Sequence, residues 1–186
     1  DDSPMLVIIE DDGRIESYNL WKPLILEKGI KMNMAPMLYK QNVDANWNSS
    51  MAFMSMHQMM ELQDLGVEFL NHGNKSVLTA TIYAEYIAGN YSTIKQEYVD
   101  SKKFLREYGL DKGADCYVYP GNINGTELEK ANYKNMIKKY FKCGVTNGVD
   151  TIINTNNALD VYELPRVNAD SKTSDFLIGK MNEAIS

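Results

Sequence analysis

The stretch MLVIIEDDG, residues 5–13, decides the fold. Its apolar run lacks polar alternation, which describes a strand buried on both faces, and it ends in an acidic turn closed by glycine. A strand covered on both faces needs helices on either side, and the segments that follow provide them. IESYNLWKPLILEKG (15–29) sets Tyr18, Trp21, Leu24 and Ile25 at helical spacing. It closes on Gly29, suited to a left-handed cap, with Pro23 disturbing its early part. IKMNMAPML (30–38) reads as a second strand.

The same alternation continues. In SMHQMMELQDLG (55–66), Ser55 and Gln58 have capping-box spacing and Gly66 ends the helix. VEFL (67–70) is a third strand. TIKQEYVDSKKFLREYG (93–109) is a long helix with Ile94, Tyr98 and Leu105 on one side. DCYVYPGNING (115–125) is a strand ending in a Pro-Gly turn, and ANYKNMIKKYFKCG (131–144) is another helix. GVTNG (144–148), TIINT (151–155) and VYELPRV (161–167) are short strand candidates. Strands separated by helices imply parallel pairing with helices outside, either a doubly wound sheet or a barrel. The 186 residues suit one domain, 1–186.

Composition excludes several classes of function. With 44% apolar residues and no apolar run near the roughly 18 needed to span a bilayer, membrane insertion is not expected. A net charge of −6 offers no basic stripe for nucleic acid. Cys116 and Cys143 lack zinc-type spacing; they form either one disulfide or, the favoured expectation, two free buried thiols. The acidic start enters a strand at once without a signal-peptide pattern, and the chain stops at MNEAIS. Both ends read as boundaries of a domain excised from a larger protein.

In parallel α/β architectures the loops after the strands gather on one face, where ligands bind. Asp11 and Asp12, His72, and the turn at Tyr119 all follow strands, so they are expected to converge. Two carboxylates and a histidine suit a divalent metal beside a general base, one carboxylate binding the ion and the other deprotonating a water. Asp-Asp-Gly is equally ordinary turn chemistry, and His72 equally a satisfied strand-end histidine. His57 is expected to face solvent. The eleven methionines read as core filler or as an adaptable binding surface. Trp47 either stacks on a sugar or packs its own loop.

IIEDDGR (8–14), LGVEFLNHGNKS (65–76), CYVYPGN (116–122) and the closing segment GVTNGVDTIINTNNALDVYELPRV (144–167) together resemble, in order and interval, the motifs of the polysaccharide deacetylases, the NodB-homology carbohydrate esterases of family four. The resemblance covers nearly the whole chain. It implies a distorted (β/α) barrel of seven or eight short strands with the site at their C-terminal ends. It also implies extracellular, cell-surface or virion-associated action on a glycan or cell-wall polysaccharide, and a divalent metal, zinc or another ion.

Carried over by position, Asp11 would be the catalytic base, with Asp12 and His72 metal ligands and Tyr119 lying in the motif whose backbone helps form the oxyanion site. The family's chemistry is hydrolysis of N-acetyl groups by a metal-activated water, with a second histidine protonating the departing amine.

The departures are as specific as the matches. Ser76 stands where the second metal-binding histidine is expected, with Asn74 or Glu68 as substitute donors and magnesium better suited to such a set than zinc. Gly121 replaces an aromatic residue, and no histidine follows residue 72 to act as general acid. Arg166 either orients Asp11 or pairs with a carboxylate beneath the site. Two functions therefore stand side by side: a deacetylase with an altered ligand set, and a catalytically silent module that binds carbohydrate.

Overall fold

The computed structural model describes residues 7–38, 53–121, 123, 125–146, 160–167 and 173–185. Five strands form one sheet: β1 (Ile9–Asp12), β2 (Asn33–Pro36), β3 (Glu68–Asn71), β4 (Gly113–Val118) and β5 (Cys143–Val145). All pair in parallel, and their spatial order is their sequence order. That order has no reversal, so the sheet winds one way and curls into a half-barrel; the doubly wound alternative is not formed. Fewer strands form among the described residues than the seven or eight expected. Leu164 adds a single parallel bridge to Val145, and TIINT (151–155) lies outside the described residues, as does Trp47.

Helices occupy the crossovers, and one more follows the last strand. They are α1 (Ile15–Lys28), α2 (Met56–Asp64), α3 (Thr79–Ile87), α4 (Ser92–Ile94), α5 (Ser101–Glu107), α6 (Glu127–Ile137) and α7 (Ser174–Ile185). Between α4 and α5 the chain makes a π-helical turn, Lys95–Asp100. Helix α1 runs through Pro23 and ends at Gly29, whose φ of 64° provides the left-handed cap. Ser55 and Gln58 close the reciprocal capping box of α2, and Thr126 with Glu129 does the same for α6. Helices α3 and α7 were not foreseen from periodicity. None of the described helices is long and apolar enough to cross a membrane.

Strand alternation sorts the core into two faces. Met34, Phe69 and Tyr117 are buried and point to the helices, Met34 and Phe69 among Met59, Leu62 and Leu105, and Tyr117 among Tyr98, Ile137 and Phe141. Their neighbours Ala35, Leu70 and Val118 pack together with Val145 and Leu164 on the opposite face, inside the curl. Methionine therefore serves largely as core filler, with Met32, Met34, Met54 and Met59 all buried. Cys116 and Cys143 are register partners on β4 and β5, with Cα atoms 4.7 Å apart, and they form a disulfide. This corrects the expectation of free thiols: periodicity could place each cysteine on a strand but could not show that the strands are adjacent and in register.

Candidate active site

The acidic turn, the histidine loop and the last segment meet at the C-terminal rim of the sheet. Asp11 and Asp12 end β1 and, by strand alternation, their side chains diverge. Asp11 Oδ1 and Oδ2 accept hydrogen bonds from both terminal nitrogens of Arg166, at 2.9 and 2.5 Å, while Arg166 Nε donates to the Thr146 carbonyl at 3.0 Å. The guanidinium thus holds the base-position carboxylate in a two-pronged grip, leaving about two of its four acceptor directions for other partners.

Asp12 turns the other way, towards His72. Its Oδ1 lies 3.7 Å from His72 Nε2. The imidazole is 3% exposed, and its Nδ1 lies 2.8 Å from the Val118 carbonyl, an acceptor that requires the proton on Nδ1. In the neutral ring the Nε2 lone pair then faces Asp12 Oδ1 and the Ser76 hydroxyl, the latter at 3.2 Å. Register helps set this direction. The β3–β4 pairing slips between Leu70 and Asn71, so that Asn71 lies opposite Tyr117 and the next residue, His72, reaches Val118.

Backbone conformation marks the same two positions. Among the described residues, Asp12 (φ 68°) and Ser76 (φ 58°) are the non-glycine residues with positive φ, and both flank His72 Nε2. A left-handed backbone at a residue with a Cβ costs about 1–3 kcal/mol and persists where the surroundings impose it.

A lone pair and a carboxylate oxygen facing each other across 3.7 Å suit a cation between them, so Asp12 and His72 fit as two ligands of a divalent ion. Ser76 adds a neutral oxygen. Among the described residues no group of three His, Cys, Asp or Glu side chains is arranged to hold a metal, so the three-ligand set of a catalytic zinc is not formed. The donors fit an oxygen-preferring ion that keeps several waters. Glu68 opens β3 at the end away from His72 and is exposed. Asn74 sits in the histidine loop, its backbone N–H donated to Glu97 at 3.0 Å.

Tyr119 is placed differently from the rim residues. Its side chain is fully buried against Tyr117, its N–H donates to the Val145 carbonyl at 2.9 Å, and its hydroxyl donates to the Tyr162 carbonyl at 2.9 Å. Burial, followed by the charges of Asp160 and Glu163, holds this phenol well above its ordinary range. Both its polar groups are engaged inside the fold. His57 is exposed and lies 3.3 Å from Glu61.

Sequence reading passed over Glu97, which is 1% exposed and accepts hydrogen bonds from three amides of the histidine loop. A glutamate in an amphipathic helix reads as solvated. The signal that it is not, a π turn, has no sequence pattern.

No protein-family model matches this sequence, and no curated protein matches it. Among solved structures, the chain is similar to the Streptococcus pyogenes deacetylase PplD in complex with acetate, at 18% identity and a TM-score of 0.63, covering 93% of this chain and 68% of that one. It is similar to a de-N-acetylase from Aggregatibacter actinomycetemcomitans, at 17% identity and a TM-score of 0.69, covering 94% of this chain and 74% of that one. A Bacillus cereus polysaccharide deacetylase, BC0361, matches at 16% identity and a TM-score of 0.68 over 94% of this chain, which spans about half that protein's length (50%). The fold is that of the NodB-like polysaccharide deacetylases.

Proposed function

We propose that the chain deacylates an acetylated glycan at this rim, outside the cell at a surface or on a virion, with Asp12 and His72 holding a divalent ion and Ser76 adding its hydroxyl. The observation that carries the reading is the His72 Nε2 lone pair set 3.7 Å from Asp12 with Asp11 gripped separately by Arg166. An ion there would polarise an acetyl carbonyl and make a water more acidic. Asp11 accepts the proton from the attacking water, and Arg166 keeps its carboxylate aimed by occupying only one side. His72 stays in the Nδ1–H form because its Nδ1–H donates to the Val118 carbonyl. Tyr119 keeps its own proton and directs its O–H into a hydrogen bond to the Tyr162 carbonyl, so the departing group takes its proton from solvent or from Asp11.

The proteins of similar fold include a deacetylase and a de-N-acetylase, which supports N-acetylated glycans as the first substrates to test. Purified protein incubated with magnesium, zinc or cobalt should release acetate from chitin oligomers or peptidoglycan fragments, and Asp11→Asn should abolish the release. A second reading is favoured by the neutral Ser76 and the committed Tyr119: a silent module that binds glycan. That module would retain glycan in the presence of chelator and release no acetate with any metal.

A further inference from the structure

Glu97 has no part in the chemistry above, yet it is the most completely engaged buried carboxylate of the described chain. It sits in the π-helical turn Lys95–Asp100 and is 1% exposed. Such turns are rare single-turn features that recur near functional sites. Its Oε2 accepts from the backbone N–H of Asn74 (3.0 Å), Lys75 (3.0 Å) and Val77 (3.4 Å), and its Oε1 accepts from Lys75 (3.1 Å). These amides flank Ser76 in the loop that begins at His72.

The approach is close enough to fix the sequence beneath it. A Cβ at Gly73, where φ is 79°, would stand 2.4 Å from Glu97 Oε2, so only glycine lets the loop lie this near. The far side of the turn is tied to the same loop. The Ser101 hydroxyl donates to the Glu97 carbonyl at 2.6 Å and accepts from Asn71 Nδ2 at 3.0 Å, while Asn71 Oδ1 accepts the Gly73 N–H at 2.8 Å. Glu97 and Asn71 therefore grip residues 73–77 from two sides. A carboxylate withdrawn from water persists where donors replace the water, and here the donors are the loop's own amides.

We propose that Glu97 is a positioning residue: its carboxylate folds the loop that follows β3 around itself, and so fixes His72 Nε2 and the Ser76 hydroxyl opposite Asp12. It acts through the loop and touches no substrate. Only the ion-binding part of its test rests on the proposed function.

The test uses the full chain with Glu97→Ala, Glu97→Gln and Glu97→Met, the last filling the volume without an acceptor should alanine fail to fold. Amide hydrogen exchange is followed at Asn74, Lys75 and Val77, and cobalt affinity is measured by titration. In the alanine or methionine variant, exchange at those three amides should rise about tenfold or more over that of the central strands. Cobalt affinity should fall roughly 10 to 100-fold. Glutamine, which leaves one oxygen for the three amides, should restore most of both. Unchanged exchange overturns the proposal, as does loosened exchange with unchanged cobalt affinity. If the wild-type chain binds no cobalt, the ion reading fails. The positioning claim is then decided by the His72 ring: its nitrogen chemical shifts should report Nδ1–H in the wild type and a tautomer mixture in the alanine or methionine variant, and unchanged shifts overturn it.

Discussion

At the residue scale, Asp12 and His72 bring together two donors where a catalytic zinc normally keeps three protein ligands. Ser76 brings a neutral hydroxyl to within 3.2 Å of His72 Nε2 where an anionic or imidazole donor would bind an ion more firmly. Its backbone φ of 58° lies in the left-handed region, which histidine enters more readily than most residues. Ser76→His is therefore expected to fold and to raise zinc affinity at least tenfold, measured by competition with a chromophoric chelator. An unchanged affinity would mean that position 76 does not face the Asp12–His72 pair. Asp11, Asp12 and His72 were legible in the sequence because each follows an apolar run, and runs end at the rim in a parallel sheet. Tyr119 was not, because whether a residue after a strand turns outward or packs inward depends on the space beside it. Here Gly144 leaves the room, and a Cβ there would lie 2.7 Å from the Tyr119 ring.

At the element scale, what could be read was what depends on neighbours in sequence. The Ser55–Gln58 box and the Gly29 cap are local chemistry and stood where expected. The π turn is set by tertiary demand, since its geometry places Glu97 under the histidine loop. Its titration carries a consequence with a definite sign. Desolvation raises the Glu97 carboxyl above the ordinary glutamate value, opposed by the amides of Lys75, Val77 and Asn74 and by the charge of Lys75. Well below the ordinary value both folded and unfolded states hold the proton, and Glu97 adds no pH dependence. Between that value and the raised folded one, the unfolded chain releases its proton first, so stability from this group falls as pH rises through the window and then levels off. Asp115 and Asp160 work in the opposite sense. Burial raises them, but hydrogen bonds from Lys102 and Lys142, and from Lys134 and the Tyr162 amide, outweigh it. The measurement is thus a difference. Denaturant unfolding of wild type minus Glu97→Gln, taken from about pH 4 to 7, should slope downward with pH. A flat difference would show that the carboxyl titrates as it does in the unfolded chain.

At the scale of the whole molecule, the sheet order places β1 and β5 at its two ends, and among the described residues the segment 161–166 links them, pairing with β5 through backbone hydrogen bonds at Gly144 and Thr146 and reaching β1 through the Arg166 side chain. Leu164 bridges Val145 on β5, and two residues later Arg166 reaches Asp11 on β1 while donating to Thr146 at the end of β5. One guanidinium thus spans both ends of the sheet, joining Asp11 to a residue 155 positions away. Lysine cannot do this, since a single ammonium lacks the fork that serves Asp11 and Thr146 together. The pair is only partly exposed, 16% at Arg166 and 27% at Asp11, against 68% and 39% at the surface pair Lys95–Asp100. The edge-closing pair should therefore be far less sensitive to salt. A double-mutant cycle of Arg166→Met and Asp11→Asn, read by denaturant unfolding, should give a coupling of about 1–3 kcal/mol that changes little between low and high salt. Arg166→Lys should recover less than half of it. A coupling near zero, or one abolished by salt as at Lys95–Asp100, would mean that the two edges are held together by packing at Leu164 alone.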